Sequence, residues 1–321
     1  MRRTAWRWAR LVGGLAILLA IGWRVGTGPF LDGARSVGTW SIAGAVFITA
    51  ATTVCSAWRW QVVARGLGVR MSLRGAIAAY YRSQFLNTVL PGGVLGDVHR
   101  GVDHGRATGD LGRGLRAVAW ERVAGQAIQL AVALVVIALL PSPARSALPI
   151  VLTVAVVLII LSLAAIQFAP RDSRSRWQRV LRTVASDVRH GLLTREAWPS
   201  ITVSSLLVCA GHIGVFLIAA HAAAVTAGFG VLLPLAVLVL VAAAVPTNIG
   251  GWGPREGVAA WLFASAGLGA GHGVATATAF GVLVLIASLP GAIVLIAASV
   301  RRAPNTAAPA AERDLVGARR G

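Results

Sequence analysis

The chain has 321 residues, of which 30 are basic and 11 acidic, for a formal charge of +19. Yet only 13% of it is charged and 56% is hydrophobic, with a mean hydropathy of +0.74. Soluble domains carry about 25% charged residues, so this balance excludes an ordinary soluble enzyme and a disordered chain. It also argues against a nucleic-acid partner, because a basic patch for that purpose needs a water-facing fold. What remains is an all-α, polytopic integral membrane helix bundle whose cations have defined places.

Every basic residue is Arg. Beside abundant Ala, Gly and Val, that usage reads as codon bias. Cys55 and Cys209 lie in apolar runs with no Cys or His at ligand spacing. They read as small buried side chains, not as a disulfide or a zinc site.

Residues 1–10 hold four Arg and precede an apolar run at 11–23. This resembles the charged and apolar regions of a signal peptide. No small-x-small cleavage site follows, so a retained first helix is expected, with Arg10 and Arg24 snorkelling at its ends. Further spans are expected at 37–57, 117–140, 148–169, 198–220, 231–245 and 274–300. Two stretches, 76–96 and 246–267, are interrupted by Pro and Gly. Each is apolar for about half a membrane thickness at ~1.5 Å per residue.

The arginines orient the chain. The stretches 1–10, 59–74, 100–116, 171–195 and the tail from 301 hold 24 of the 30. The positive-inside rule places all of these in the cytoplasm, both termini included. Arg24, Arg35 and Arg145 fall on the other side, and Arg82, Arg122 and Arg255 fall at membrane depth. An even number of crossings follows, about eight by this hydropathy count. It requires 76–96 to be a re-entrant hairpin and 254–268 to cross. Residues 1–302 form the transmembrane domain, and 303–321 read as a disordered cytoplasmic tail. Within 170–198, Trp177, Val180, Leu181, Val184 and Val188 recur at helical spacing. That pattern predicts an amphipathic helix on the cytoplasmic leaflet. The alternative is a positive loop that only sets topology.

Three clusters place charge or broken backbone inside the membrane, where each needs a partner or a wet cavity. The first is the stretch around Arg82 and Asn87, followed by Pro91, Gly92, Gly93, Gly96, Asp97 and Arg100. Pro91 stops a helix, and the glycines allow a tight reversal with N–H groups free for an anion. The plainer reading is a Pro-Gly turn between ordinary helices. The second cluster is Glu121 and Arg122. Adjacent helical residues point about 100° apart, so each needs a partner on another element. Glu121 is expected to hold Arg82 or Arg100, and Arg122 to hold Asp97; the alternative is a headgroup-solvated pair. The third cluster is Asn248, Gly250, Gly251, Gly253, Arg255 and Glu256. Here Pro254 starts a helix whose N-terminus suits an anion. Arg255 and Glu256 are again expected to find separate partners.

Asp97, His99, Asp103 and His104 match no zinc spacing and are expected in a mobile cytoplasmic loop. No metal or other cofactor is expected. His212 and His221 read as helix–helix hydrogen bonders. The chain carries no GxSxG, HExxH or Walker A pattern.

The stretch 85–100 (FLNTVLPGGVLGDVHR), the pair Glu121-Arg122 and the stretch 250–257 (GGWGPREG) together resemble one family. It is the transmembrane, flippase-like domain of lysylphosphatidylglycerol synthases and their stand-alone relatives. The resemblance covers roughly residues 10–300. It implies a membrane bundle with re-entrant segments that moves lipid or lipid-linked headgroups between leaflets of the cell membrane. The full synthases add an aminoacyltransferase domain, and no such domain is expected here, so no enzyme activity is expected. Arg82, Arg100, Arg122 and Arg255 would hold the lipid phosphate, with Asp97, Glu121 and Glu256 holding the arginines in the empty site. The alternatives are a membrane transferase acting on a polyprenyl or phospholipid through Asp97, His99 and Asp103, or a scaffold for a lipid-modifying protein. A second copy of the chain is a further candidate partner.

Overall fold

The computed structural model describes residues 27–90, 93–142, 176–244 and 253–302. The expected helices at 11–23 and 148–169 and the tail at 303–321 lie outside these residues. So do Pro91, Gly92, Asn248, Gly250 and Gly251.

Among the described residues the ordered elements are helices. The first half holds α1 (Gly28–Arg35), α2 (Thr39–Gly66), α3 (Leu73–Val89), α4 (Leu95–Thr108) and α5 (Leu111–Leu139). The second holds α6 (Arg176–Asp187), α7 (Ala197–Ala222), α8 (Phe229–Ala243), α9 (Pro254–Ser265), α10 (Ala270–Ser288) and α11 (Pro290–Arg302). Thr39–Gly66, Leu111–Leu139, Ala197–Ala222 and the run Ala270–Ala297 are each long and apolar enough to cross a membrane. Their side chains need no amphipathic stripe, because lipid accepts apolar residues on every face. Trp40 and Phe47 are accordingly exposed on α2.

Helices α2, α7 and α10 pack on one another at the centre. Phe216, Leu235, Phe263 and Leu283 form the larger apolar core between α7, α8, α9 and α10. Phe216 meets Phe263 edge-on with ring centroids 6.5 Å apart. A second core joins α2, α3 and α5 through Trp60, Ala76, Tyr80 and Ala117.

Four expectations change. The second span does not end at residue 57 but runs to Gly66, which carries Arg59 inside the bundle and not in a cytoplasmic loop. No Pro or Gly interrupts 58–65, and Arg59 finds a buried carboxylate on α5, so its charge does not stop the helix. The segment holding Asp97, His99, Asp103 and His104 is helix α4, not a mobile loop, with Asp97 in its first turn. The last span is divided, because Pro290 starts a new helix directly after α10. Arg255 and Glu256 pair with each other, as described below.

Two short-helix pairs surround the central helices. In the first, α3, which ends at Val89, and α4, which starts at Leu95, pack against each other. Leu90 is extended there, and Gly93 has φ +62°, a conformation that favours glycine. In the second, α8 has 15 residues and α9 has 12. At ~1.5 Å per residue each is shorter than the ~30 Å hydrocarbon core. On the expected amphipathic segment, α6 passes into a π-helical turn at Val188–Leu192. Buried Asp187 docks it on α5, accepting hydrogen bonds from Arg116 Nε (2.8 Å) and Trp120 Nε1 (3.0 Å).

Candidate functional site

The site starts from the α3–α4 hairpin. Gly96 lies so close to α3 that a Cβ there would come within 2.1 Å of the Ser83 carbonyl oxygen. Its N–H donates to Asn87 Oδ1 at 2.8 Å, which fastens the start of α4 to the end of α3. The next residue, Asp97, is thereby turned inward. Ser83 donates to it at 3.0 Å, Asn87 Nδ2 at 2.9 Å and Arg100 Nη2 at 3.0 Å, and Arg122 forms an ion pair with it. A carboxylate has about four acceptor sites, and all are used here.

Glu121 on α5 is fully buried. It accepts from Arg59 Nε at 3.0 Å, from Arg100 Nη2 at 3.0 Å and from the Tyr80 hydroxyl at 3.3 Å. Arg100 bridges the two carboxylates while its guanidinium stacks 4.4 Å from the Trp60 ring centroid and 4.2 Å from that of Tyr80. Charge-assisted hydrogen bonds and cation–π contacts together offset the desolvation of these groups. Three guanidiniums, Arg59, Arg100 and Arg122, thus share two carboxylates, and one positive charge is left over.

The surplus charge has an outlet. The Arg100 side chain is 0% exposed, whereas that of Arg122 is 41% exposed. Arg122 lines a cavity of about 830 Å³ beside Asp97, Val98, Val118, Gln126 and Leu130. It also lines a second cavity of about 290 Å³ with Arg59, Gln84, Asn87, Ser205 and His212. Gly93, Gln126 and Gln129 border both. Outside the spans, burial and the Arg100 charge push the His104 imidazole below its ordinary pKa.

The remaining expected site residues lie elsewhere. Arg82 pairs with Asp103 at 2.7 Å and lines neither cavity. Glu256 folds back over the start of α9 and accepts from the Gly253 N–H at 2.7 Å. That fold brings its other oxygen to Arg255 Nε at 2.9 Å, so the neighbours pair directly. Gly253 has φ +116°, which only glycine adopts easily. The Arg255 guanidinium lies 5.4 Å from the ring centroid of Phe280, and Phe280 borders the smaller cavity.

Sequence reasoning missed Arg59, Gln126, Gln129 and Ser205. A signal exists for the two glutamines. Arg122, Gln126 and Gln129 fall at i, i+4 and i+7, and so do Tyr80, Gln84 and Asn87. Each set places polar side chains along one face of its helix.

The family model of the lysylphosphatidylglycerol synthase TM region matches residues 8–291. The chain belongs to this family. It is a membrane protein related to lipid metabolism, and the three motifs read from the sequence all fall within the matched region. No curated protein and no solved structure matches the chain.

Proposed function

We propose that the protein binds an anionic or lipid-linked substrate in the larger cavity and moves it between leaflets of the cell membrane. The observation that carries this reading is the unbalanced cluster, three guanidiniums to two carboxylates, with the partly exposed Arg122 facing the cavity. An anionic headgroup on Arg122 supplies the missing negative charge, and an unpaired charge at membrane depth is otherwise costly. The apolar walls at Val94, Val98, Leu115 and Leu130 suit acyl chains. Arg59 and Arg100 position Glu121, and Asp97 holds Arg122 until substrate arrives.

We read the protein as a carrier and not as a transferase. Asp97 and Asp103, the carboxylates a transferase would use, are held in ion pairs with arginines. Cytoplasmic termini and a multi-pass topology belong to the same proposal, as does association with a second copy or a lipid-modifying protein. The test is reconstitution in vesicles with a fluorescent anionic phospholipid, following its exposure to a quencher. Wild type is expected to exceed Arg122→Gln by at least about tenfold, the equivalent of one charge-assisted hydrogen bond. Equal rates from two equally folded proteins would refute the reading.

A further inference from the structure

The two cavities that meet at Arg122 differ in chemistry. Among the described residues, and apart from Asp97, Arg122, Gln126 and Gln129, the larger is lined by apolar side chains and backbone. The smaller collects hydroxyls and amides from several helices: Thr49 and Ser56 on α2, Gln84 and Asn87 on α3, and Gln126 and Gln129 on α5. Its charged lining residues are Arg59 and Arg122, and among the described residues no carboxylate lines it.

From this division we infer the class of headgroup. The inference rests on the carrier reading above and deepens it. The smaller cavity takes a neutral, hydroxyl-rich group attached beyond the phosphate of a lipid, and it rejects a cationic group. The phosphate sits at Arg122, where the cavities join, with acyl chains on the larger side and the headgroup on the smaller.

Three features of the lining select that class. An amide both donates and accepts, so a ring of Gln and Asn side chains satisfies the two-way hydrogen bonding of a polyol. Asn87 is already committed to Asp97 and Gly96, and Gln84 accepts from Thr53 at 3.0 Å. The side-chain amides of Gln126 and Gln129 make no hydrogen bond with another described residue, which leaves both for the substrate. Second, an ammonium group would face Arg59 and Arg122, members of a cluster with three guanidiniums to two carboxylates, and no carboxylate among the described residues lines the cavity to receive it, a like-charge placement that selects against it. Third, about 290 Å³ holds roughly ten waters at ~30 Å³ each. That suits a glycerol or one sugar ring, not an extended glycan.

The experiment is lipid binding to the full chain in detergent, read by native mass spectrometry. Four lipids with identical acyl chains are compared: phosphatidylglycerol, phosphatidylinositol, phosphatidic acid and lysyl-phosphatidylglycerol. The two hydroxylated lipids are expected to bind about tenfold tighter than phosphatidic acid, the equivalent of one net hydrogen bond, with the lysyl lipid weakest. Gln126→Leu/Gln129→Leu should erase that advantage while leaving phosphatidic acid unchanged. If this variant does not fold, the wild-type ranking decides alone. Phosphatidic acid binding as tightly as phosphatidylinositol, or the lysyl lipid binding tightest, would overturn the inference. Soluble inositol 1-phosphate should not compete, because it leaves the apolar cavity unfilled; competition would overturn the lipid assignment. Arg122→Gln should weaken all four lipids. If it weakens none, the carrier reading itself fails, which is a separate outcome from a wrong ranking.

Discussion

Arg59 on α2 donates from Nε to Glu121 on α5 at 3.0 Å, across 62 residues of chain, and both side chains are buried. Glu121 also pairs with Arg100, so one carboxylate joins α2, α4 and α5. Removing it is expected to be far more damaging than removing an arginine together with it. Glu121→Ala should cost ~3–5 kcal/mol, because two buried cations lose their shared partner. The double variant Arg59→Met/Glu121→Met should recover part of that loss. Thermal unfolding in detergent measures both; equal losses would contradict a shared carboxylate.

At α9, the same kind of charge caps a helix. Glu256 accepts from the Gly253 N–H and pairs with Arg255. Glu256→Gln keeps an acceptor for the N–H but loses the charge, whereas Glu256→Ala loses both. The Ala variant should be the less stable of the two by about 1 kcal/mol, the usual worth of an N-terminal cap. Denaturation of both variants in one detergent provides the comparison.

Asp187 anchors α6 to α5 through Arg116 and Trp120. Asp187→Ala leaves the Trp120 indole without this acceptor, at a cost of ~1–3 kcal/mol. The loss is local, since α6 makes few contacts beyond the turn that follows it. Hydrogen exchange should therefore rise at least about tenfold in 176–192 and stay unchanged in α2 and α7.

His104 is held below its ordinary pKa by burial and by Arg100. Above the unfolded-chain value of about 6.5, both folded and unfolded forms are neutral, and the residue adds no pH dependence. As pH falls below that value the unfolded chain takes the proton first. Stability is then lost until the folded pKa is reached. Melting curves between pH 7.5 and 5 should fall more steeply for wild type than for His104→Gln. Parallel curves would remove this residue from the acid response.

The long spans were legible in sequence because membrane insertion depends on local composition, which a single segment carries by itself. So were the neighbours at 121 and 122: side chains about 100° apart must reach different elements, and Glu121 reaches Arg59 and Arg100 while Arg122 reaches Asp97. The same argument failed for Arg255 and Glu256. Their place at a helix start lets Glu256 bend back toward Gly253 and meet Arg255 on the way. Arg59 was hidden because an arginine after an apolar run looks like the end of a span. Only the carboxylate supplied by α5 makes it an interior residue.

The sequence alone thus determined the class of protein, its broken segments and the three charged clusters, since hydropathy and Pro/Gly placement act within a few residues of themselves. The tertiary structure decided which arginines are occupied and which one faces space. Arg82 is taken by Asp103, and Arg100 is enclosed by Glu121, Asp97 and two aromatic rings. Arg122 alone of these three keeps a partly exposed side chain at the junction of two cavities. Charge pairing across a bundle depends on distances between segments far apart in the chain, and no local pattern contains them.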